Sequence, residues 1–275
     1  MPSRHRSSKV FVITGASEGI GAELAMQLAG RGHFLVLAAR NEEALNNVAG
    51  RCQRNGSKAI VFRTDVTVEA DCRRLVDRAL EAFGRIDVLV NNAGVSMHAT
   101  FDEISDWSTY ERLWRVNCLG TIHCTRFAWP HLKAAPGKRG GQIVGINSLA
   151  GRTGLPGRTT YCASKFAQAG FLEALRIAAA GHGIAVPVVY PGVVATETRR
   201  KGLDGRGEAA GVSRLDERNA MPVDECARRI VRAIEGRRRE LVMTARGRLG
   251  LWLKLVAPGW VDNLARNAVR KDDTE

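Results

Sequence analysis

Residues 10–21 read Val-Phe-Val-Ile-Thr-Gly-Ala-Ser-Glu-Gly-Ile-Gly. The apolar run Val10 to Ile13, closed by Thr14, has the composition of a buried strand. Gly15, Gly19 and Gly21 follow at G-x-x-x-G-x-G spacing, and Ile20, Leu24 and Leu28 then recur every four residues, as in a helix reaching Gly30. A strand, a glycine turn and a helix, in that order, make a cradle for a pyrophosphate. Glycine lets backbone approach the phosphates, and the free N–H groups of the helix's first turn point at them. A glycine triplet alone marks only a turn; its place between the first strand and the first helix makes it a dinucleotide signature. Ser17, Glu18 and Ile20 share the turn and join the three glycines as candidate cofactor contacts.

Outward from this turn, short apolar runs alternate with helical stretches. The spacing predicts strands over Phe34–Ala39, Ala59–Arg63, Ile86–Asn91, Gln142–Asn147, Ala185–Tyr190 and Glu240–Met243. It predicts helices over Glu42–Asn55, Glu69–Phe83, Trp107–Leu132, Thr160–Ala180 and Val223–Gly236. Such alternation implies a Rossmann-type, doubly wound α/β fold: a seven-stranded parallel sheet with helices on both faces. No linker divides the chain before residue 192, so one domain over 1–244 is expected, followed by an extension over 245–275. Residues 193–222, rich in Gly, Arg and Glu, read as a mobile segment over the carboxyl edge of the sheet, where such folds bind ligands. There is no internal repeat.

The end of the second strand bears on which dinucleotide fits. An acid there would bond the ribose hydroxyls of NAD and repel a 2′-phosphate. This strand instead ends Ala39-Arg40, and a guanidinium can fork two bonds onto a phosphate. NADP(H) is therefore favoured over NAD(H), a solvated loop arginine being the other reading.

The chain has 275 residues, 45% of them apolar and 25% charged, which excludes a disordered or low-complexity protein. Its 41 basic residues, 33 of them Arg, outweigh 28 acidic ones to give +13. That charge favours anionic partners or is simply a solvated surface. Aromatic residues make up only 6%, and no nucleic-acid motif occurs, so a nucleic-acid partner is not expected. Six cysteines form no C-x-x-C pair and no His/Cys cluster, so no metal site is expected. The polar, basic start has no signal-peptide pattern, and no apolar run is long enough to span a bilayer, so a cytoplasmic location is the expectation.

Tyr161 and Lys165 form a Y-x-x-x-K on a predicted helix, where spacing four stacks side chains on one face. A free phenol ionises near pH 10, too high for proton exchange at neutrality; a neighbouring ammonium favours the phenolate and lowers that value. The pair is unspecific by itself, and context comes from three other places. Ser148 ends the fifth strand in I-N-S-L-A-G, Asn91 to Gly94 end the fourth as N-N-A-G, and Asn117 sits within the long helix. Singly these read as a turn residue, strand-end caps and a helix-surface amide. Their joint order along a βαβ chain goes beyond those readings.

With that order the chain resembles the short-chain dehydrogenase/reductases, from about residue 9 to 243. The resemblance implies that Tyr161 is the acid/base, that Lys165 lowers its pKa and holds the ribose, and that Ser148 orients the substrate oxygen. It implies that Asn117 supports a water on a proton relay and that Asp65 and Val66 sit beside the adenine. Asn91, Ala93 and Gly94 would line the cofactor. Pro191, Gly192 and Thr196 match P-G-x-x-x-T, whose threonine contacts the carboxamide, with Val194 between them. Glu18 departs from the pattern, since many NADP-specific members carry a basic residue in that turn. The implied reaction passes a hydride between nicotinamide and a carbonyl or secondary alcohol, its oxyanion held by the Ser148 and Tyr161 hydroxyls. Pairing through the helices near Trp107 and Thr160 is also implied, as a homodimer or homotetramer. Residues 112–172 contain nine basic and no acidic residues, so Arg152 and Arg158 are expected to add a positive field favouring phenolate.

The extension carries Arg246 and Arg248, then Leu249, Leu251, Trp252, Leu253, Leu255 and Val256, interrupted at Pro258, and beyond it Trp260, Val261, Leu264, Arg266, Val269, Arg270 and Lys271. Wide apolar faces with Trp and flanking cations suit a helix lying in a membrane interface, so residues 246–271 could touch an anionic membrane. A pocket lid or an oligomer contact are the other readings. This tail resembles that of microsomal relatives acting on steroids, retinoids or long-chain lipids, the 11β-hydroxysteroid dehydrogenase-like branch among them, which implies a hydrophobic substrate. A 3-oxoacyl-carrier reductase and a non-catalytic NADPH-binding regulator are the alternatives.

Overall fold

The structure is a computed structural model and describes residues 8–133, 139–198, 200–211 and 220–270. Seven strands form one parallel sheet: β1 (Val10–Thr14), β2 (Phe34–Ala39), β3 (Ala59–Arg63), β4 (Val88–Asn91), β5 (Gln142–Ile146), β6 (Val188–Tyr190) and β7 (Glu240–Val242). Their order is β3-β2-β1-β4-β5-β6-β7, so the direction of winding reverses between β1 and β4. A crevice opens at that reversal, outside the carboxyl ends of the strands.

Both faces of the central strands are buried, because successive residues point to opposite sides and helices cover each side. Phe11, Ile13, Leu35, Leu37, Val88, Val90 and Val144 face one core. It is completed by Leu24 and Leu28 of helix α1 (Gly19–Ala29), Leu45 and Val48 of α2 (Glu42–Arg54), and Ile230 and Ile234 of α7 (Val223–Glu235). Val12, Val36, Leu89 and Ile143 face the other, against Leu75 of α3 (Glu69–Phe83), Cys124 and Ala128 of α5 (Gly120–Leu132) and Leu172 of α6 (Thr159–Ala180). Glycine sets the closeness of one contact: a Cβ on Gly145 in β5 would lie 2.2 Å from Leu172 Cδ1.

Three sequence expectations need correction. The helix expected over Trp107–Leu132 is three pieces: α4 (Ser108–Trp114), a π turn (Arg115–Leu119) and α5. The extra residue in that wide turn accompanies a tertiary demand, because Asn117 bonds the backbone of Val95, 22 residues away. The strand expected over Ala185–Tyr190 shortens to Val188–Tyr190, with only an isolated bridge from Gln142 to Ala185 before it. Pro187 has no N–H to give the ladder. The fourth strand begins at Val88 rather than Ile86, where the Arg85 guanidinium already bonds Asp87.

Residues 193–198, 200–211 and 220–222 run over the carboxyl edge, tied by bridges from Leu203 to Met97 and from Met221 to Val194. The remainder of that segment, 199 and 212–219, lies outside the described residues, as do 271–275. The extension forms α8 (Ala245–Val256) and α9 (Pro258–Arg270). Pro258 starts the second helix, where its missing N–H costs nothing. Gly247 turns α8 toward the core: a Cβ there would lie 3.0 Å from Leu149 Cδ1.

Candidate active site

The carboxyl ends of β1 to β5 frame a cleft of about 850 Å³. At one end is the glycine turn. Gly15 has φ +63°, and a Cβ there would lie 2.8 Å from Ala93 Cα; a Cβ on Gly21 would lie 2.3 Å from the Gly15 carbonyl. No side chain larger than hydrogen fits either place. Thr14 locks the turn to β4: its Oγ1 donates to Val90 O (3.3 Å) and accepts from the N–H groups of Asn92 (3.0 Å) and Ala93 (3.1 Å). Asn92 Nδ2 donates to Thr14 O and Gly15 O, both at 3.0 Å. Helix α1 begins behind the turn with no acid in its first turn and no side-chain cap from Glu18, which instead pairs with Lys201. Its N-terminal amides keep their positive potential.

Gly15, Ser17, Glu18 and Ile20 line the cleft; Gly19 and Gly21 shape the turn from behind. Thr196 approaches the same place, its methyl 3.5 Å from where a Gly19 Cβ would stand, and its hydroxyl donates to Thr198 Oγ1 at 3.3 Å. At the end of β2 an exposed Arg40 lines the cleft beside Asn41, whose side chain caps α2. Glu42 and Glu43 enter the first turn of α2 and do not line the cleft. After β3, Asp65 and Val66 form part of the wall. Asp65 Oδ1 accepts from Thr67 N (2.9 Å) and Thr67 Oγ1 (2.7 Å). A Cβ on Gly120 would lie 2.6 Å from Val66 Cγ2, so α5 presses directly on that wall.

Ala93 and Gly94 line the centre of the cleft. Asn91 lies beneath, donating to Thr125 Oγ1 at 3.2 Å. Under Gly94 two side chains converge: a Cβ there would stand 3.0 Å from Asn117 Oδ1 and 3.7 Å from Lys165 Nζ. Asn117 is fully buried, not a surface amide. Its Oδ1 accepts from Val95 N (2.8 Å), and its Nδ2 donates to Val95 O (2.9 Å) and Ser164 Oγ (2.9 Å). Ser164 in turn donates to the carbonyl of Tyr161 at 2.8 Å.

Tyr161 and Lys165 rise into the cleft from the first two turns of α6. The ammonium is buried and donates to Ile146 O and to Gln168 Oε1, both at 3.1 Å. Burial pushes its pKa down to about 8, the Cys118 thiol offsetting only part of that. Gln168 was not among the sequence candidates, yet it joins the site together. Its Oε1 also accepts from Asn147 Nδ2 (3.0 Å), and its Nε2 donates to Thr121 Oγ1 (2.9 Å), which donates to Asn117 O (3.1 Å). The signal was present: Gln168 lies three residues beyond Lys165 and seven beyond Tyr161, on the same helical face.

Ser148 stands at the end of β5, outside the cleft lining. Its Oγ accepts from Ala150 N at 3.2 Å and caps the 3₁₀ turn Leu149–Gly151, while its N–H donates to Asn147 Oδ1 at 2.7 Å. Pro191, Gly192 and Val194 follow β6 and also stand outside the lining. Thr198 and Lys201 line it without having been singled out.

The short chain dehydrogenase family matches residues 9–206. The 11-beta-hydroxysteroid dehydrogenase-like 4A of Arabidopsis thaliana is 42% identical over 189 residues, 68% of this chain and 62% of that protein. The chain thus spans less than two thirds of that relative's length. The 11-beta-hydroxysteroid dehydrogenase A of Sesamum indicum is 37% identical over 260 residues, 92% of this chain and 73% of that protein. Among solved structures, a short chain dehydrogenase/reductase from Burkholderia phymatum in complex with NAD is 28% identical with a TM-score of 0.78, covering 92% of this chain and 95% of that one. An alcohol dehydrogenase from Thermococcus sibiricus, complexed with 5-hydroxy-NADP, shares the fold at 24% identity and a TM-score of 0.72, over 86% and 94% of the two chains. With the ordered motifs on this sheet and a family match over most of its length, the chain belongs to the short chain dehydrogenase family.

Proposed function

We propose that the chain is an NADP(H)-dependent oxidoreductase acting on a carbonyl or secondary alcohol of a hydrophobic, lipid- or steroid-like small molecule. One observation carries the reading: a single cleft has a glycine turn and an uncapped helix N-terminus at one end and the Tyr161–Lys165 pair within it. The residues present fit a dinucleotide: Gly15 and Gly94 line the cleft with bare backbone, and the turn holds its tight fold because a Cβ at Gly15 or Gly21 would meet backbone atoms. When bound, the nicotinamide supplies or accepts the hydride.

The protein's own side chains do the rest. Tyr161 gives or takes the proton of the substrate oxygen, and Lys165 favours the phenolate and reaches toward the ribose. The Ser148 hydroxyl orients the oxygen once substrate draws it from its turn, and Asn117 holds the relay through the Val95 backbone. Arg40 takes the 2′-phosphate; Asp65 and Val66 flank the adenine. Ala93 and Gly94 bed the cofactor over Asn91, and the Pro191–Thr196 stretch meets the carboxamide. The neighbours hold NAD in one case and a modified NADP in the other, so the preference rests on Arg40 and on the absence of an acid at Ala39. A hydrophobic substrate is supported by the hydroxysteroid dehydrogenase names of the relatives. We assign residues 1–244 as the catalytic domain, working as a homodimer or homotetramer, and 245–275 as an extension.

That extension exposes Leu249, Trp252, Leu255 and Val256 of α8 and Trp260 and Leu264 of α9 beside Arg246, Arg248 and Arg266. No helix among the described residues is long and apolar enough to cross a membrane. An exposed apolar ridge edged by cations suits peripheral contact of a cytoplasmic protein with an anionic membrane.

Tyr161→Phe is expected to lower kcat/KM by about three orders of magnitude while NADPH binding, read by fluorescence titration, persists. Unchanged turnover would remove the reading. Arg40→Ala should weaken NADPH about ten- to a hundredfold and leave NADH unmoved. Lys165 makes a pH prediction. Its folded pKa of about 8 lies below the ordinary 10.5, so between those values the unfolded chain binds more protons and this group's contribution to stability rises with pH. Relative to Lys165→Met, the cofactor-free parent should gain about 3 kcal/mol from pH 8 to 10.5 in urea unfolding; a flat difference would contradict the buried ammonium. For the extension, the full chain should float with anionic vesicles and a 1–244 truncation should not; equal flotation of the two excludes the membrane role.

A further inference from the structure

Tyr161 lies in the first turn of α6, and that turn contains no acid. Arg158 precedes it by three residues, at the N-cap, and is only 8% exposed. Its guanidinium carbon stands 5.5 Å from the centroid of the Tyr161 ring. Residues three apart share a helix face, and a planar guanidinium stacks well on an aromatic ring. The other arginine expected to act on the phenol is engaged elsewhere. Arg152 bonds Glu173 (3.2 Å) and Glu240 (3.1 Å), and its guanidinium lies 5.4 Å from the Tyr190 ring. Two carboxylates therefore balance its charge.

Among the described residues, Glu111, Arg112 and Arg115 line the same cleft, Arg115 being paired with Glu111, and other ionisable groups lie nearer the ring's own helix. Lys165 lies one turn on, with the Cys118 thiol near its ammonium. His98, from the segment after β4, packs on Gly157, where a Cβ would stand 2.9 Å from its Nε2. The Tyr110 hydroxyl of α4 bonds Thr159 Oγ1 at 2.9 Å, and Cys162 follows Tyr161 in the chain. Tyr161 also packs on an apolar cluster that holds Met97, Leu113 and Leu203. No carboxylate occurs anywhere in residues 112–172.

We infer that Arg158 is a positioning residue for Tyr161: its guanidinium lies on the ring, fixes the phenol's orientation and favours its ionised form. The inference rests on reading Tyr161 as the proton carrier. Two cations of different kinds then serve one phenol. Burial weakens the hold of Lys165 on its proton, with a pKa of about 8, whereas a guanidinium keeps its charge throughout the working range. The positive field at the phenol thereby outlasts the ammonium as pH rises. The positive end of the α6 dipole acts in the same sense.

The test titrates the phenol directly, without nucleotide or substrate. The ultraviolet phenolate band of the parent minus that of Tyr161→Phe isolates this tyrosine from Tyr110 and Tyr190. Arg158→Gln and Arg158→Met, each paired with its own Tyr161→Phe control, should titrate about one pH unit higher than the parent. Arg158→Lys should stay within a fraction of a unit, and Arg152→Gln should not move the midpoint. The pH–rate midpoint should follow the same order. Folded neutral variants that titrate with the parent would overturn the inference; so would an Arg158→Lys midpoint displaced as far as a full charge loss requires. Activity retained by Tyr161→Phe would instead sink the functional reading and leave the phenol titration standing.

Discussion

A buried ammonium has to be held by oxygens, or the fold cannot keep it charged. Lys165 satisfies that demand with the carbonyl of Ile146 at the end of β5 and the amide oxygen of Gln168 on its own helix. Everything around it follows from keeping those two oxygens in place. Asn147 and Thr121 each bond Gln168, and Thr121 reaches Asn117, which is anchored by both polar groups of the Val95 backbone. The chain closes through Ser164 onto the carbonyl of Tyr161. Strand β5, the β4 edge, the π turn and α6 are therefore tied into one polar network, and partial removal of such a network costs more than any single bond in it.

The glycine-turn end obeys a different constraint, that of space. The sheet brings β1 beside β4, and Thr14 with Asn92 joins their ends at about 3 Å. Gly15 and Gly21 then fold so tightly that a methyl group would meet backbone. Rigid packing at one end and a buried cation at the other fix the separation between the glycine turn and the Tyr161 phenol. The segment after β6 adds a third contact, because Lys201 pairs with Glu18 across the mouth of the turn. That pairing offsets the charge of the acid in the turn proposed to hold the phosphates.

Much of this was legible in residue order. Short continuous apolar runs such as Val10–Ile13 located the seven strands, and spacing four put Tyr161 and Lys165 on one face. What the sequence concealed depends on contacts between distant segments. The π turn interrupts a stretch whose local pattern is an unbroken helix, and Asn117 there engages Val95, 22 residues away. Gln168 looks like an ordinary helix amide until Thr121 and Asn147 meet it. Glu18 and Lys201 are separated by 183 residues, beyond any local pattern. Arg152 and Arg158 looked equivalent in an acid-free stretch, and only the fold delivers Glu173 and Glu240 to the first and the Tyr161 ring to the second.

The central claim is spatial: one dinucleotide bridges the glycine turn and the phenol, gripped at its adenosine end by a phosphate that NAD lacks. A crystal structure of the protein with NADPH tests it most directly. The account predicts the 2′-phosphate on the Arg40 guanidinium and the nicotinamide ring beside the Tyr161 hydroxyl, with Ser148 turned toward the same point. A nicotinamide lying away from Tyr161, or a 2′-phosphate in solvent with Arg40 unengaged, would contradict it.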